Sequence, residues 1–199
     1  KQLMFRLLKN NLYNTFNSIT VDSDTSTSDT LMMFSVSNKK ININKKNFKI
    51  LNYKMYQLMH DLSLQVIKDG EGVSKLIRVN VMNARSKIQA KKIAFSIANS
   101  PLVKTAVAGE DANWGRVIMA IGKTEENINQ NKIKVFFGNH IVCENGSISK
   151  KIKIKKLDHY MKNKTIDINV KLYLGKFSHT VYGNDLTLEY LKINADYRS

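Results

Sequence analysis

Apolar residues recur at helical spacing in four stretches of the chain. Leu3, Met4, Leu7, Leu8 and Leu12 share one face of a helix over residues 1–13, which starts without a cap, as a truncated helix would. Phe48, Leu51, Met55, Leu58, Met59, Leu62 and Val66 mark a longer amphipathic helix that stops at Asp69–Gly70. A third helix is predicted over Ser86–Asn99, opened by Ser86 and closed by Asn99, Ser100 and Pro101. A fourth follows over Asn113–Gly122. Short or alternating apolar runs predict strands at Phe16–Val21, Leu31–Val36, Leu76–Val81, Ile133–Phe137, His140–Glu144, Ile166–Leu174 and Leu186–Ile193. Gly138–Asn139 is a hairpin signal between two of them. Lys150–Lys156 reads as a lysine-bearing edge strand, Leu157–Met161 as helix and Thr105–Ala108 as an apolar run entering a turn. Ser37–Asn47 reads as a polar loop.

Composition adds limits. At 199 residues, 43% hydrophobic and 24% charged, the chain suits one large domain or two small ones with a real core. No apolar run reaches membrane-spanning length, and KQLMFRLLKN is not laid out as a signal peptide. Cys143, the one cysteine, lies in the apolar run IVCEN. It reads as a buried inert thiol in a reducing, cytoplasmic compartment. The net charge of +16 suggests a nucleic-acid or membrane partner first. Against it, there are 27 Lys and 5 Arg, spread along the whole chain, and 22 Asn and 20 Ile beside them. AT-rich codons supply that composition, so most of the charge reads as solvated surface. A basic, non-enzymatic nucleic-acid-binding protein stays open as the alternative.

Three features bear on chemistry. SPLVKTAVAGEDANWGR, residues 100–116, holds the only proline and the only tryptophan. Strand, polar turn and helix start can present backbone N–H groups to an anion, or form an ordinary capped joint. As a joint, Asp111 or Asn113 caps the helix, Trp114 anchors it and Arg116 pairs with a carboxylate such as Asp111. DSDTSTSDT, residues 22–30, could ligate a divalent cation but lacks an EF-hand's glycine and closing glutamate. Its side chains are expected to satisfy backbone groups in a tight buried turn. The histidines at 60, 140, 159 and 179 show no ligand spacing with Cys or one another, so no metal site is expected, and with no P-loop or dinucleotide glycine motif no cofactor is expected either.

Five blocks together resemble one family. They are FNSITVDSDTSTSDT at 16–30, KDGEGVSK at 68–75, ARSKIQAKKIAFSIANSPLVKTAVAGEDANWGR at 84–116, GNDLTLEY at 183–190 and INADYRS at 193–199. In that order they look like the β chain of bacterial ornithine acetyltransferase, the glutamate N-acetyltransferase of arginine biosynthesis. Departures from the family pattern include Ser23 for Gly, Ser28 for Asn and Ala112 for Pro, with Tyr182, Asn184 and Ser199 for Trp, Cys and Thr.

The resemblance implies an α+β fold: an αββα-type sandwich part plus a smaller mixed α/β C-terminal domain. Residues 1–75 would be the remainder of the nucleophile-bearing sandwich. Residues 76–199 would form the C-terminal domain, with the tail returning to the active site. It implies acetyl transfer from N2-acetyl-L-ornithine to L-glutamate through an acetyl-threonine, with acetyl-CoA as a further donor left open. The nucleophile would be a threonine freed at its α-amine by autocatalytic cleavage. No threonine here has the family's cleavage context, so it is expected upstream of Lys1 and this segment alone is expected to be inactive. Glu71, Asn194 and Ser199 match the family's substrate-binding positions. The implied partners are the α chain of the same precursor, in a cytoplasmic heterotetramer of two α and two β chains, and N-acetylornithine, ornithine and glutamate.

Overall fold

Strand β1 (Leu76–Ala84) is the centre of the molecule. Its buried residues Ile77, Val79 and Val81 alternate with the more exposed Arg78 and Asn80, as one covered sheet face demands. In the computed structural model, which describes residues 2–36 and 43–197, β1 lies between two partners. It pairs in parallel with β5 (Thr165–Lys171), Ile77 opposite Ile166 and Val79 opposite Ile168. It pairs antiparallel with β6 (Phe177–Asn184), Val79 opposite Val181. Outside β5 come β2 (Lys134–Phe137), β3 (His140–Glu144) and the two-residue β4 (Ser147–Ile148). The sheet order is β4-β3-β2-β5-β1-β6.

Helices cover one face of this sheet. They include α3 (Lys87–Ala98), α4 (Pro101–Ala108), α5 (Trp114–Gly122) and α6 (Ile154–Met161). Ile93 and Ile97 of α3, Val107 of α4, Val117 and Ile121 of α5 and Met161 of α6 join the buried strand residues in one apolar core. The opposite sheet face is polar: Arg78 pairs with Asp167 at 2.6 Å, and Thr180 and Asn80 bond at 3.3 Å. Helices α1 (Gln2–Leu12) and α2 (Lys45–Lys68) pack on each other beyond β6, and α7 (Leu188–Asp196) closes the chain.

The expected α+β class holds, and so do several local readings. Ser86 caps α3 by accepting from the amide of Gln89. Asn113, not Asp111, caps α5, and Trp114 packs against the core. Gly138 has φ +57 in the two-residue turn between β2 and β3, where a left-handed residue matches strand twist. Cys143 is buried in β3, and burial raises its thiol pKa.

Other elements differ. Thr105–Ala108 belongs to a helix, because Ser100 caps and Pro101 occupies the first turn of α4. Leu186–Ile193 is mostly helix: Thr187 caps α7, and Leu188 is left 85% exposed. Phe16–Val21 is a single 3₁₀ turn followed by one bridge, Ile19 to Tyr182, since the run meets the edge of β6 only there, with the Thr20 amide donating to the Tyr182 carbonyl at 2.9 Å. Leu31–Val36 pairs with nothing among the described residues, and Phe34 is 77% exposed. Residues 150–153 form a turn into α6, so the short edge strand is β4, reached through Asn145–Gly146 at φ 54 and 71. The DSDTSTSDT stretch is exposed, not buried, yet its side chains do serve its own backbone. Asp22 accepts from the Asp24 amide, and Ser26 from those of Ser28 and Asp29. Residues 37–42 of the predicted loop lie outside the described residues.

Candidate functional site

The end of α2 and the start of β1 are joined by the turn at residues 69–75, and this turn rests on the β6–α7 junction. Gly72 permits the approach. At φ +62 it is left-handed, and a Cβ there would lie 2.4 Å from the Tyr190 nitrogen. Thr187 Oγ1 donates to the Gly72 carbonyl at 2.6 Å while accepting from the Tyr190 amide at 3.1 Å. Asn184 Nδ2 donates to the Ile67 carbonyl at 3.5 Å. Asp185 accepts from the amides of Ser74 and Lys75, both at 3.0 Å, and from the Ser74 hydroxyl.

At the tip of that turn stands Glu71. Its Oε2 accepts from Asn194 Nδ2 at 3.0 Å, so two of the three expected site residues meet although 123 positions separate them. The third, Ser199, lies outside the described residues. Asn194 Nδ2 also donates to the Tyr190 carbonyl at 3.0 Å, which fixes the amide against α7. Tyr190 Oη donates to Asp22 Oδ2 at 2.8 Å and brings the DSDTSTSDT stretch to the same corner. Burial first, then the bond to Asp22 and the charges of Asp22, Asp24 and Glu71, push the Tyr190 phenol up to about 12. Three carboxylates therefore converge on one phenol, a setting that favours a cation over an anion.

Two buried lysines brace the corner. Lys104 of α4, 3% exposed, donates to Asn184 Oδ1 at 3.0 Å and to the Val21 carbonyl. Burial lowers its pKa to about 8, against the attraction of Asp185 and Asp22. Lys75 Nζ reaches away to Glu110, at 3.0 Å, and to the carbonyls of Met161 and Asn163. The 100–116 stretch thus reaches the turn through Glu110, at Lys75, and the β6–α7 junction through Lys104, at Asn184. Arg116 does not pair with Asp111: its Nη1 donates to the Leu102 carbonyl at 2.8 Å and to Thr105 Oγ1 at 3.3 Å. Beside the turn opens a cleft of about 620 Å³, lined by Phe16, Thr30, Leu31, Leu62, Val66 and Asp69 among others.

Sequence reasoning alone missed Lys75, Lys104, Asp185 and Thr187. The signal for Lys104 was present, a single lysine inside the apolar run PLVKTAVA. Among the described residues no three His, Cys, Asp or Glu side chains are grouped to hold a metal, and no helix is long and apolar enough to cross a membrane.

Comparison with known proteins agrees in sequence and in fold. The model of the ArgJ family matches residues 1–199. The arginine biosynthesis bifunctional protein ArgJ of Bartonella henselae is 47% identical over 202 residues, covering 100% of this chain and 49% of that protein. The protein of the same description from Brucella melitensis is 45% identical, over 97% of this chain and 48% of its own length. The chain thus spans about half the length of the curated relatives it matches. The crystal structure of ArgJ from Bacillus halodurans superposes with a TM-score of 0.91 at 32% identity, covering 98% of this chain and 93% of that one.

Proposed function

This chain belongs to the ArgJ family, and from that premise we propose that it is the greater part of the β chain of a glutamate N-acetyltransferase. The enzyme moves the acetyl group of N2-acetyl-L-ornithine to L-glutamate in arginine biosynthesis. One observation carries the reading: the Glu71–Asn194 contact at 3.0 Å joins two positions that match the family's substrate-binding residues. A carboxylate held by an amide, in a corner also bearing Asp22 and Asp24, suits the ammonium group of an amino-acid substrate. The same acidic corner, in a chain of net charge +16, offers nothing to a nucleic-acid phosphate.

By the same resemblance, the nucleophile is a threonine of the β chain upstream of Lys1. Its hydroxyl attacks the acetamide carbonyl, the proton passing to the free α-amine of the same residue. Ornithine leaves as the amine, taking that proton, and the acetyl group stays on the threonine as an ester. The amine of glutamate then attacks the ester, giving N-acetylglutamate and the free hydroxyl. Glu71, Asn194 and Ser199 hold the amino-acid end of the donor and then of the acceptor.

In this assignment residues 1–75 complete the nucleophile-bearing sandwich and residues 76–199 form the C-terminal domain, whose tail returns to the site. The partner is the α chain of the same precursor, released by autocatalytic cleavage, in a cytoplasmic heterotetramer of two α and two β chains. No metal or cofactor enters the chemistry.

The test uses the complete two-chain enzyme. Glu71→Ala is expected to raise KM for N2-acetylornithine by about tenfold or more, the loss of one charge-assisted contact. Unchanged steady-state constants would remove Glu71 from the site. The isolated 199-residue chain is expected to transfer no acetyl group, and measurable turnover by it would place the nucleophile within this sequence.

A further inference from the structure

We infer that Asp185 is a positioning residue for the carboxylate of Glu71, acting through the stem of the turn that carries it. The inference rests on the assignment of Glu71 to the substrate.

Asp185 is 3% exposed, and such a carboxylate needs partners. The obvious ones would be the neighbouring lysines, but both ammonium groups are bonded elsewhere: Lys75 to Glu110 and two carbonyls, Lys104 to Asn184 and the Val21 carbonyl. Asp185 instead spends Oδ1 on two backbone amides, Ser74 and Lys75, and Oδ2 on the Ser74 hydroxyl. Its own amide donates to the Lys75 carbonyl at 3.1 Å. Four hydrogen bonds from one residue therefore clamp two consecutive residues of the turn. Such a pattern fixes the loop's geometry, because carboxylate-to-amide bonds are directional and set the backbone path, while the charge of Lys104 is felt without a direct bond.

The far side of the turn is held by the same segment, through Thr187 at the Gly72 carbonyl and Asn184 at the Ile67 carbonyl. Glu71 is the residue between these anchors, and Asn194, its partner, stands on the helix that Thr187 caps. Removing the Asp185 carboxylate leaves the Ser74 and Lys75 amides without their acceptor. Glu71 then loses its fixed distance to Asn194, and with it the preset carboxylate for a substrate ammonium.

A double-mutant comparison in the complete two-chain enzyme tests this. Asp185→Ala is expected to raise KM for N2-acetylornithine about tenfold with kcat within about twofold, as for lost ground-state binding. In a Glu71→Ala background the same substitution is expected to add less than about twofold, because a residue that acts through Glu71 has nothing left to position. Multiplying effects, or an unchanged KM in Asp185→Ala, would overturn the inference. Should Asp185→Ala fail to fold, Asp185→Asn keeps the shape and one acceptor. It is expected to raise KM about threefold and to lose that effect without Glu71; an unchanged KM overturns the inference here too. Amide hydrogen exchange separates this idea from the substrate assignment. Protection at Ser74 and Lys75 should fall in the Asp185 variant and persist in Glu71→Ala, whether or not Glu71 contacts substrate. Retained protection in the Asp185 variant refutes the positioning role.

Discussion

Ser23 and Gly72 occupy the same backbone region with opposite consequences. Ser23 sits at φ 80 on an exposed stretch, where its Cβ is strained and a glycine would not be. Ser23→Gly is therefore expected to stabilise the chain by about 1 kcal/mol, read from the denaturation midpoint. Gly72→Ala should do the reverse, costing more than about 2 kcal/mol, because the added carbon meets the Tyr190 backbone and not a yielding side chain. His179 sets a pH limit. Ser18 gives its one hydroxyl proton to the Tyr13 carbonyl at 2.6 Å, so His179 Nε2 must donate to Ser18 Oγ at 2.9 Å. A neutral ring satisfies this, and burial, followed by Lys91 and Lys87, lowers its pKa to about 4. Unfolded, the ring binds a proton near pH 6.5; folded, it resists until pH 4. The stability from this residue is complete above pH 6.5 and falls with acid, by on the order of 3 kcal/mol at the limit. Thermal melts between pH 7 and 4.5 should show the loss, and His179→Gln should flatten it.

Among elements, α7 shows what the pattern of residues does and does not encode. Leu186, Leu188 and Tyr190 alternate like a strand, yet Thr187 starts a helix and the alternation points Leu188 outward. The cap was visible as Thr187 followed by Glu189 in the first turn; the competing period concealed it. Likewise Ser100–Pro101 marked a helix start as much as a helix end, and α4 was hidden for that reason. Long periodic segments such as α3 and β1 were legible because burial and period agree in them, and α2 by its period and its stop at Asp69 alone. Of the site, Glu71 and Asn194 came from resemblance. Asp185 and Lys104 did not, since their role depends on contacts across more than 80 residues that no local spacing records. Thr187→Ala removes the cap of α7 and the bond to Gly72 together. It is expected to cost about 1–2 kcal/mol, measured by chemical denaturation, and a neutral result would show that the turn does not depend on this helix start.

On the scale of the whole molecule, the apolar surface is unevenly covered. The predicted apolar face of α2 is only partly buried: Met59 is enclosed, while Leu58, at 53% exposed, Leu62 and Val66 face outward with Ile50 and Tyr53. Phe34 and Met32 expose further apolar surface in the stretch before the loop. A soluble protein rarely leaves so much apolar surface open. The chain produced alone is therefore expected to self-associate in light scattering, and co-production with the proposed α chain should suppress this; a clean 22.7 kDa monomer would argue otherwise. The position of β1 between β5 and β6 has a kinetic consequence as well. Both neighbours of the central strand lie far ahead of it in the chain, with Ile77 opposite Ile166 on one side and Gly183 on the other. At about 5–20 residues per second, a ribosome holds β1 without either partner for on the order of 5–20 s. Contacts this distant in sequence also make refolding slow. The turn at 69–75 waits just as long, because Asp185, Thr187 and Tyr190 emerge after the last strand. During synthesis, then, the corner that carries Glu71 takes shape only after β6 has emerged, and termination before Asn194 would abolish it.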